Sequence, residues 1–279
     1  MYYNSNKFGE TTFWKACKNG HIETVKSLLN DRRVYVNQAN DDNATPFWIA
    51  CYKGHIDIVK LFLNDKRVDI NKANDDDQTP FLISCVKEHI ELVKLLLNNE
   101  RVDVNKVDRN GITPFYIVCY YGHIEIVKLL LNDQRINKTQ TMNDCWASFW
   151  MACYDGHIEI VRSELNDKRI DLNKTNKRNE SPFYIACKNG HIGIVKLLLN
   201  DKRVELNKTN KKNESPFYIA CKNGHIDIVK LLLNDKRISI RKEANEGKTA
   251  IDIAKKENHS NIVKLIQEFD TGNYSNNKL

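Results

Sequence analysis

The chain has 279 residues, of which 41% are hydrophobic, and a formal net charge of +7. Only 5 prolines and 11 glycines are present, so the composition excludes a chain that is disordered throughout. No apolar run approaches the roughly 18 residues that indicate a membrane-spanning helix. The positive charge is uneven, because residues 1–139 hold 19 Lys and Arg against 18 Asp and Glu, whereas the remainder holds 24 against 18.

A period of 34 residues dominates the sequence. All eight histidines fall on it, at His21, His55, His89, His123, His157, His191, His225 and His259. Seven of the eight cysteines lie four residues before a histidine, from Cys17 to Cys221, and only Cys145 departs from this lattice. A fixed period of 20–50 residues is typical of stacked units that are each too small to bury their own apolar face.

Each unit carries the signals of two helices. Thr45 is a predicted N-cap and Pro46 the first helical residue, where a missing N–H is harmless. Gly54 ends this helix, since glycine readily adopts positive φ. A second helix with a wide apolar face follows His55, and a polar loop leads to the next unit.

The unit reads Thr-Pro-Phe-x-x-Ala-Cys-x-x-Gly-His-Ile-x-Ile-Val-Lys-Leu-Leu-Leu and resembles the ankyrin repeat over residues 10–269. The Trp-x2-Leu-Gly-x2-Tyr pattern of the tetratricopeptide repeat, which has the same period, is absent. The resemblance implies an all-α solenoid of eight stacked helix–turn–helix units joined by short β-turn fingers. We expect a repeat domain over residues 1–269, with the last unit as a cap, and a disordered tail over residues 270–279.

Two units depart from the pattern. Glu88 replaces the helix-ending glycine of the third unit, which costs about 1 kcal/mol or less if the turn needs positive φ. In the fifth unit Ala147 and Ser148 replace Thr-Pro, and Glu164 stands where most units have leucine. Because a carboxylate in an apolar interface is costly, we expect Glu164 to reach solvent at a loosened joint.

The repeated Cys-x3-His pattern indicates packing rather than chemistry. A zinc site needs about four converging ligands, and one cysteine and one histidine per layer do not converge. A catalytic Cys–His pair occurs once, in a cleft, with an orienting third group. We therefore predict buried reduced cysteines in an intracellular protein, no metal or cofactor, and no enzyme activity. Cys145 is predicted on a fingertip, as a surface thiol or a redox-active one.

The residues that vary between units are the candidate binding residues. In the ankyrin family the fingertips and the ends of the first helices line a concave groove that binds partner proteins. Here the fingertips change along the chain from acidic to basic, and the helix ends change from tyrosine to lysine. The partner-binding residues implied are Asp41, Asp42, Asp75, Asp76, Lys177, Arg178, Lys211 and Lys212 at the tips, and Tyr52, Tyr120, Tyr121, Tyr154, Lys188 and Lys222 at the helix ends.

The main functional interpretation is a monomeric, non-enzymatic protein–protein interaction module that binds a protein or an extended peptide in this groove. One alternative is a binder of an anionic polymer or membrane surface, through the basic pairs Arg32-Arg33, Lys66-Arg67, Lys168-Arg169, Lys202-Arg203 and Lys236-Arg237. An aspartate before each pair partly neutralises it, which disfavours nucleic acid and membranes. A second alternative is an architectural spacer, in which the fingertip charges serve solubility alone.

The resemblance also suggests one modification. Hydroxylation by a partner enzyme is expected at the finger-base asparagines, Asn37, Asn71, Asn105, Asn173 and Asn207.

Overall fold

The computed structural model describes residues 5–138 and 147–272, and these ranges hold sixteen α-helices, one 3-10 turn and no β-strand. The all-α repeat prediction is confirmed, with eight helix pairs. The helices are α1 Thr12–Asn19, α2 Ile22–Asn30, α3 Pro46–Lys53, α4 Ile56–Leu63, α5 Pro80–Val86, α6 Ile90–Leu97, α7 Pro114–Tyr121, α8 Ile124–Asn132, α9 Ser148–Asp155, α10 Ile158–Leu165, α11 Pro182–Asn189, α12 Ile192–Leu199, α13 Pro216–Lys222, α14 Ile226–Leu233, α15 Ala250–Lys256 and α16 Ser260–Asp270.

The chain forms two compact units, Met1–Asn143 with α1 to α8 and Asp144–Leu279 with α9 to α16. In each unit the first helices of successive repeats pack against one another and form one layer. The second helices of successive repeats also pack against one another and form a second layer. None of the described helices is both long and apolar enough to span a membrane. Helix α16 ends at Asp270, so the domain boundary at residue 269 stays a prediction. Most of the predicted tail, residues 273–279, lies outside the described residues.

The first helices begin as the sequence predicts. Thr45 Oγ1 accepts a hydrogen bond of 3.1 Å from the backbone N–H of Trp48, and Pro46 follows at the first helical position. The same cap recurs at Thr79, Thr113, Ser181 and Ser215. Such a cap stabilises a helix by about 1 kcal/mol relative to alanine.

The first helices are buried on nearly every side because each lies between two neighbours. In α3, Phe47 is 1% exposed and Cys51 is inaccessible, and the other lattice cysteines are buried likewise. Burial raises the pKa of the Cys51 thiol well above its ordinary value. Since the thiolate is the reactive form of cysteine, these thiols are inert packing residues.

The lattice histidines bond one repeat to the one before it. His89 Nε2 donates to the Tyr52 carbonyl oxygen at 3.0 Å, and His225 Nε2 donates to that of Lys188 at 2.9 Å. The ring lies so close to the preceding repeat that a Cβ on Gly54 would stand 2.9 Å from His89 Cε1. Glycine is therefore needed there for space as well as for its φ of +75°.

Glu88 changes this contact in the third repeat. It adopts a φ of +56°, as the substitution pattern implied, and its carboxylate faces the next histidine, with Oε1 3.3 Å from His123 Nδ1. His123 Nε2 is buried and has no hydrogen-bond partner among the described residues. A side chain at this position thus displaces the bond that histidine makes in most other repeats.

The finger-base asparagines form a second set of bonds between repeats. Asn71 Nδ2 donates to the carbonyl of Arg101 at 2.7 Å, and its Oδ1 accepts from the N–H of Asp103 at 2.8 Å. Asn37, Asn105, Asn173 and Asn207 make the same two bonds with the repeat that follows each of them. The finger-base asparagine, which the sequence alone presents as a polar surface residue, therefore links two repeats by hydrogen bonds.

The arginines of the Lys-Arg pairs form a third set. Arg203 makes a two-pronged contact with Asp201 and also donates, through Nη2, to the carbonyl of Leu165 at the end of α10, at 2.6 Å. Arg67 and Arg237 reach the equivalent carbonyl of the repeat before them, and so does Arg135, which follows Gln134 instead of a lysine. These carbonyls are helix-terminal groups that lack a partner within their own helix, so each arginine satisfies one of them.

The expectation for Glu164 is wrong. The side chain is fully buried, and its Oε1 accepts a hydrogen bond of 3.0 Å from Ser148 Oγ. Ser148 occupies the place of proline in the regular repeats and supplies the hydroxyl that proline lacks. The two departures of the fifth repeat thus compensate each other at one carboxylate oxygen, because a donor has entered together with the acceptor. The Glu164 charge also adds to burial in raising the pKa of Cys153.

We predict that Ser148→Ala lowers the free energy of unfolding by about 1–3 kcal/mol, because it removes a donor from a buried carboxylate. The double variant Ser148→Pro, Glu164→Leu restores the regular pattern and should be at least as stable as the wild type. Urea unfolding of both variants measures this. A neutral Ser148→Ala variant would contradict the account.

We also predict a loss of stability in acid. Hydrogen bonds from Arg33 lower the pKa of Asp31 to about 2, and the bond from Arg203 lowers that of Asp201. These values lie below the unfolded value of about 3.9, so the stabilisation is complete above about pH 5 and disappears as the pH falls through the folded pKa values. Urea unfolding between pH 7 and pH 2 should show this decline, and Asp201→Asn should make it shallower. An unchanged slope in the variant would contradict this role of the arginine contact.

Candidate functional site

The fingers are self-supporting turns. In the seventh repeat Asn210 Oδ1 accepts hydrogen bonds from the N–H groups of Lys212 at 2.9 Å and Glu214 at 3.0 Å. Asn213 follows the two tip residues with a φ of +58°, a conformation that asparagine, aspartate and glycine tolerate best. The matching position is Gly9, Asn43, Asp77, Gly111, Asn179 and Gly247 in the other described fingers. The tips therefore present their side chains from an ordered backbone.

Backbone hydrogen bonds join neighbouring fingertips. The N–H of Asp75 donates to the carbonyl of Asp42, and the N–H of Lys211 donates to that of Arg178, both at 3.0 Å. Each unit thus has a continuous row of tip residues. We call Asp41, Asp42, Asp75 and Asp76 the acidic row, and Lys177, Arg178, Lys211 and Lys212 the basic row. The structure brings together the members of each set, and both rows are exposed.

The acidic row is partly neutralised where it ends. Arg109 Nη2 lies 2.8 Å from Asp76 Oδ1, and its guanidinium also donates to the Asp75 carbonyl. Asn43 Nδ2 donates to Asp75 Oδ1 at 2.8 Å. An amide does not neutralise a carboxylate, so the uncompensated charge of this row lies on Asp41, Asp42 and Asp75.

The predicted tyrosines differ in how far they are presented. Tyr120 is 42% exposed and Tyr121 is 50% exposed, with their rings 5.1 Å apart edge to face. Tyr154 is 43% exposed and stacks on Trp150 at 5.3 Å. Tyr52 is half-buried and so is less exposed than the other three. It stacks on Trp48, and Lys87 Nζ lies 4.6 Å from the centre of its ring. Tyr52 is therefore the least available of the four for a partner.

A cavity of about 540 Å³ lies under the basic row, and we call it the unit-2 cavity. Its walls include five of the predicted binding residues, namely Arg178, Lys188, Lys211, Lys212 and Lys222. Sequence reasoning assigned these to two different features, fingertips and helix ends. The fold places both features around one cavity.

The floor of the unit-2 cavity holds two glutamates that sequence reasoning missed. Lys188 Nζ lies 2.9 Å from Glu180 Oε1, and Lys222 Nζ lies 2.9 Å from Glu214 Oε1, with both glutamates buried. A signal was available in the sequence, because Glu10 and Lys18 have the same spacing of eight residues and form the same 2.9 Å pair. The two floor lysines are therefore compensated.

A buried tyrosine completes this floor. Tyr184 OH donates to Glu214 Oε2 at 3.3 Å and accepts from Asn210 Nδ2 at 3.0 Å. Burial, reinforced by the charge of Glu214, raises the pKa of Tyr184. Burial alone would raise the pKa of Glu214, but the hydrogen bonds from Lys222, Asn210 and Tyr184 lower it. The floor is thus saturated with internal hydrogen bonds, and Glu214 is ionised at neutral pH.

The alternative binding surface, formed by the basic pairs, is less available to an anionic ligand because its arginines already make contacts within the protein. Arg67 lies beside Lys26, Arg32 and Lys66 around a cavity of about 900 Å³, but its guanidinium is bound to Asp65 and to the Leu29 carbonyl. The ends of α2 and α4, which carry the negative ends of the helix dipoles, also line this cavity. Its potential for anions is lower than the count of cations suggests.

Within residues 5–138 and 147–272, no three His, Cys, Asp or Glu side chains are grouped as metal ligands would be. Cys145, the predicted fingertip thiol, lies outside the described residues.

Family comparisons agree with the geometry. The family model described as "Ankyrin repeats (3 copies)" matches residues 2–74, 62–141 and 202–277. A second family model, described as "Ankyrin repeats (many copies)", matches residues 149–199. No curated protein matches the chain. The crystal structure of EF0377, an ankyrin repeat protein, is similar with a TM-score of 0.63 and 28% sequence identity, over 67% of this chain and 96% of that chain. Ankyrin repeats are generally protein–protein interaction modules. On the repeated helix pairs, their fingers and these matches, the chain belongs to the ankyrin repeat family.

Proposed function

We propose that the protein is a non-enzymatic recognition module that binds a protein or an extended peptide on the surface formed, in each unit, by the fingertips and the ends of the first helices. The observation that carries this proposal is the unit-2 cavity, where fingertips and helix ends of two repeats line one space. The lattice cysteines and most of the lattice histidines are committed to packing and to bonds between repeats. The residues left to recognise a partner are those that vary.

Exposed tyrosines supply the apolar anchors. Tyr120, Tyr121 and Tyr154 each combine a large ring with a hydroxyl at low entropic cost, a combination that is enriched in interface hot spots. Tyr52 belongs to the proposed surface but contributes less, because it is half-buried and Lys87 Nζ lies 4.6 Å from the centre of its ring. Tyr120 and Tyr121 stand side by side and should act as one anchor.

The charged rows supply selectivity. A partner that presents basic groups to the acidic row and acidic groups to the basic row would be steered electrostatically, and wrong partners would be repelled. Lys188 and Lys222 are lining residues in this proposal rather than charge anchors, since Glu180 and Glu214 compensate them.

The competing interpretation, binding of an anionic polymer or membrane through the Lys-Arg pairs, receives less support. Arg67, Arg203 and Arg237 use their guanidiniums on an aspartate and on a helix-terminal carbonyl. An architectural spacer would make no use of the exposed tyrosines. We propose an intracellular monomer acting through residues 1–269.

Hydroxylation of Asn37, Asn71, Asn105, Asn173 and Asn207 stays a prediction. Each of these amides already bonds to the next repeat through both its nitrogen and its oxygen. An enzyme would therefore have to act at the side-chain carbon without displacing the amide, or act before the finger closes.

The test is selection of peptide ligands from a combinatorial display library on the full chain, followed by measurement of Kd for the selected peptides. We expect Tyr120→Ala, Tyr121→Ala and Tyr154→Ala each to weaken binding by about tenfold, the scale of a moderate hot spot. Replacing all four tyrosines, including Tyr52, should abolish binding, while the thermal midpoint stays near that of the wild type.

The matched control is Tyr35→Ala, because Tyr35 is 65% exposed but lies neither at a fingertip nor at the end of a first helix. The proposal is contradicted if Tyr35→Ala weakens binding as much as the three surface variants do. It is equally contradicted if the surface variants bind every selected peptide with wild-type affinity.

A further inference from the structure

We propose that the unit-2 cavity and the basic row above it bind an acidic, extended peptide segment of the partner, with two carboxylate side chains spaced three residues apart. This inference rests on the proposed function and names the chemistry and the spacing of the bound segment.

The charge available to a ligand lies on the rim of the cavity. Five cationic and two anionic side chains line it, and the two anions, Glu180 and Glu214, are paired with floor lysines. None of the ion pairs in the described part of the chain includes Arg178, Lys211 or Lys212. These three side chains are exposed and carry the whole cationic excess of the site.

The rim is organised before a ligand arrives. The N–H of Lys211 donates to the carbonyl of Arg178 at 3.0 Å, and Asn179 Nδ2 donates to the carbonyl of Thr209 at 2.7 Å. The fingers therefore need not order themselves on binding, which removes a large entropic cost that mobile loops incur. An exposed cationic row on ordered backbone suits a ligand that is itself extended.

The spacing follows from the near identity of two repeats. The Glu180–Lys188 pair of the sixth repeat and the Glu214–Lys222 pair of the seventh have the same 2.9 Å geometry, so the same subsite occurs twice, one repeat apart. Packed helices lie roughly 8–10 Å apart. A chain in the extended polyproline II conformation advances about 3.1 Å per residue and places every third side chain on the same face, so about three residues carry it from one subsite to the next.

The floor disfavours nucleic acid as the occupant. The floor pairs Glu180–Lys188 and Glu214–Lys222 are neutral overall, so the cations that would face a continuous line of phosphates are confined to Arg178, Lys211 and Lys212. A peptide can instead present isolated carboxylates to Arg178 and to the two lysines and keep its uncharged backbone over the floor. Charge complementarity at separated points thus favours an acidic peptide.

The experiment uses the full chain and two fluorescent twelve-residue peptides of identical composition, built from glutamate, glycine and serine. One has glutamates three residues apart, and the other has the same glutamates in one adjacent block. Fluorescence anisotropy should give at least tenfold tighter binding for the spaced peptide. The triple variant Arg178→Ala, Lys211→Ala, Lys212→Ala should lose at least tenfold in affinity for it.

A matched variant controls for general electrostatics. Lys168→Ala, Lys202→Ala, Lys236→Ala removes the same number of charges from exposed positions of the same unit, in the loops that follow the second helices. It should bind the spaced peptide within about twofold of the wild type, as expected when the lost charges are distant and screened. Circular dichroism of both triple variants confirms that they are folded.

Four results would overturn the proposal: equal affinity for the two peptides, no measurable binding of either, equal losses in the two triple variants, or tighter binding of a twelve-residue oligothymidylate than of the spaced peptide. Peptides selected from the library separate this failure from that of the proposed function. If their binding depends on the tyrosines but not on Arg178, Lys211 and Lys212, the recognition surface stands and the acidic-peptide proposal fails.

Discussion

The structure depends on the inability of one helix pair to bury its own apolar face. Each repeat is stable only against its neighbours, so the bonds that cross from one repeat to the next fix its position. Side chains at three positions of the repeat, a histidine, an arginine and an asparagine, make most of these bonds. His225 bonds backward to Lys188, Arg237 bonds backward to the end of α12, and Asn207 bonds forward to the following loop. Their partners are backbone groups, so the bonds do not depend on which side chains the neighbouring repeat carries.

This division leaves the fingertips and helix ends free to differ. The finger turn is set by Asn210 and by the positive φ of Asn213, neither of which restricts the two tip residues between them. The chain can therefore place aspartates at some tips and lysines at others on the same backbone. Hydrogen bonds between the backbones of neighbouring tips then align the aspartates in one row and the basic residues in another.

The sequence alone predicted most of the fold, because the period, the Thr-Pro caps and the helix-ending glycines are local signals. It failed at Glu164, since the compensating donor, Ser148, is 16 residues away and lies on another helix. It also treated Arg203 as a loop charge, because its carbonyl partner in Leu165 lies 38 residues earlier. At the candidate site the cations were identified but Glu180 and Glu214 were not, since the pairs with Lys188 and Lys222 form only when a finger folds back over the following helix.

The central claim is that regular residues hold the repeats together and irregular residues bind the partner. It is tested most directly by measuring both the free energy of unfolding and the affinity for a library-selected peptide in Asn207→Ala. This variant loses two hydrogen bonds to the next repeat, to the carbonyl of Arg237 and the N–H of Ser239, both at 2.7 Å. We predict a loss of about 1–3 kcal/mol in unfolding free energy with Kd unchanged. An unchanged stability together with a large loss of affinity would contradict the claim.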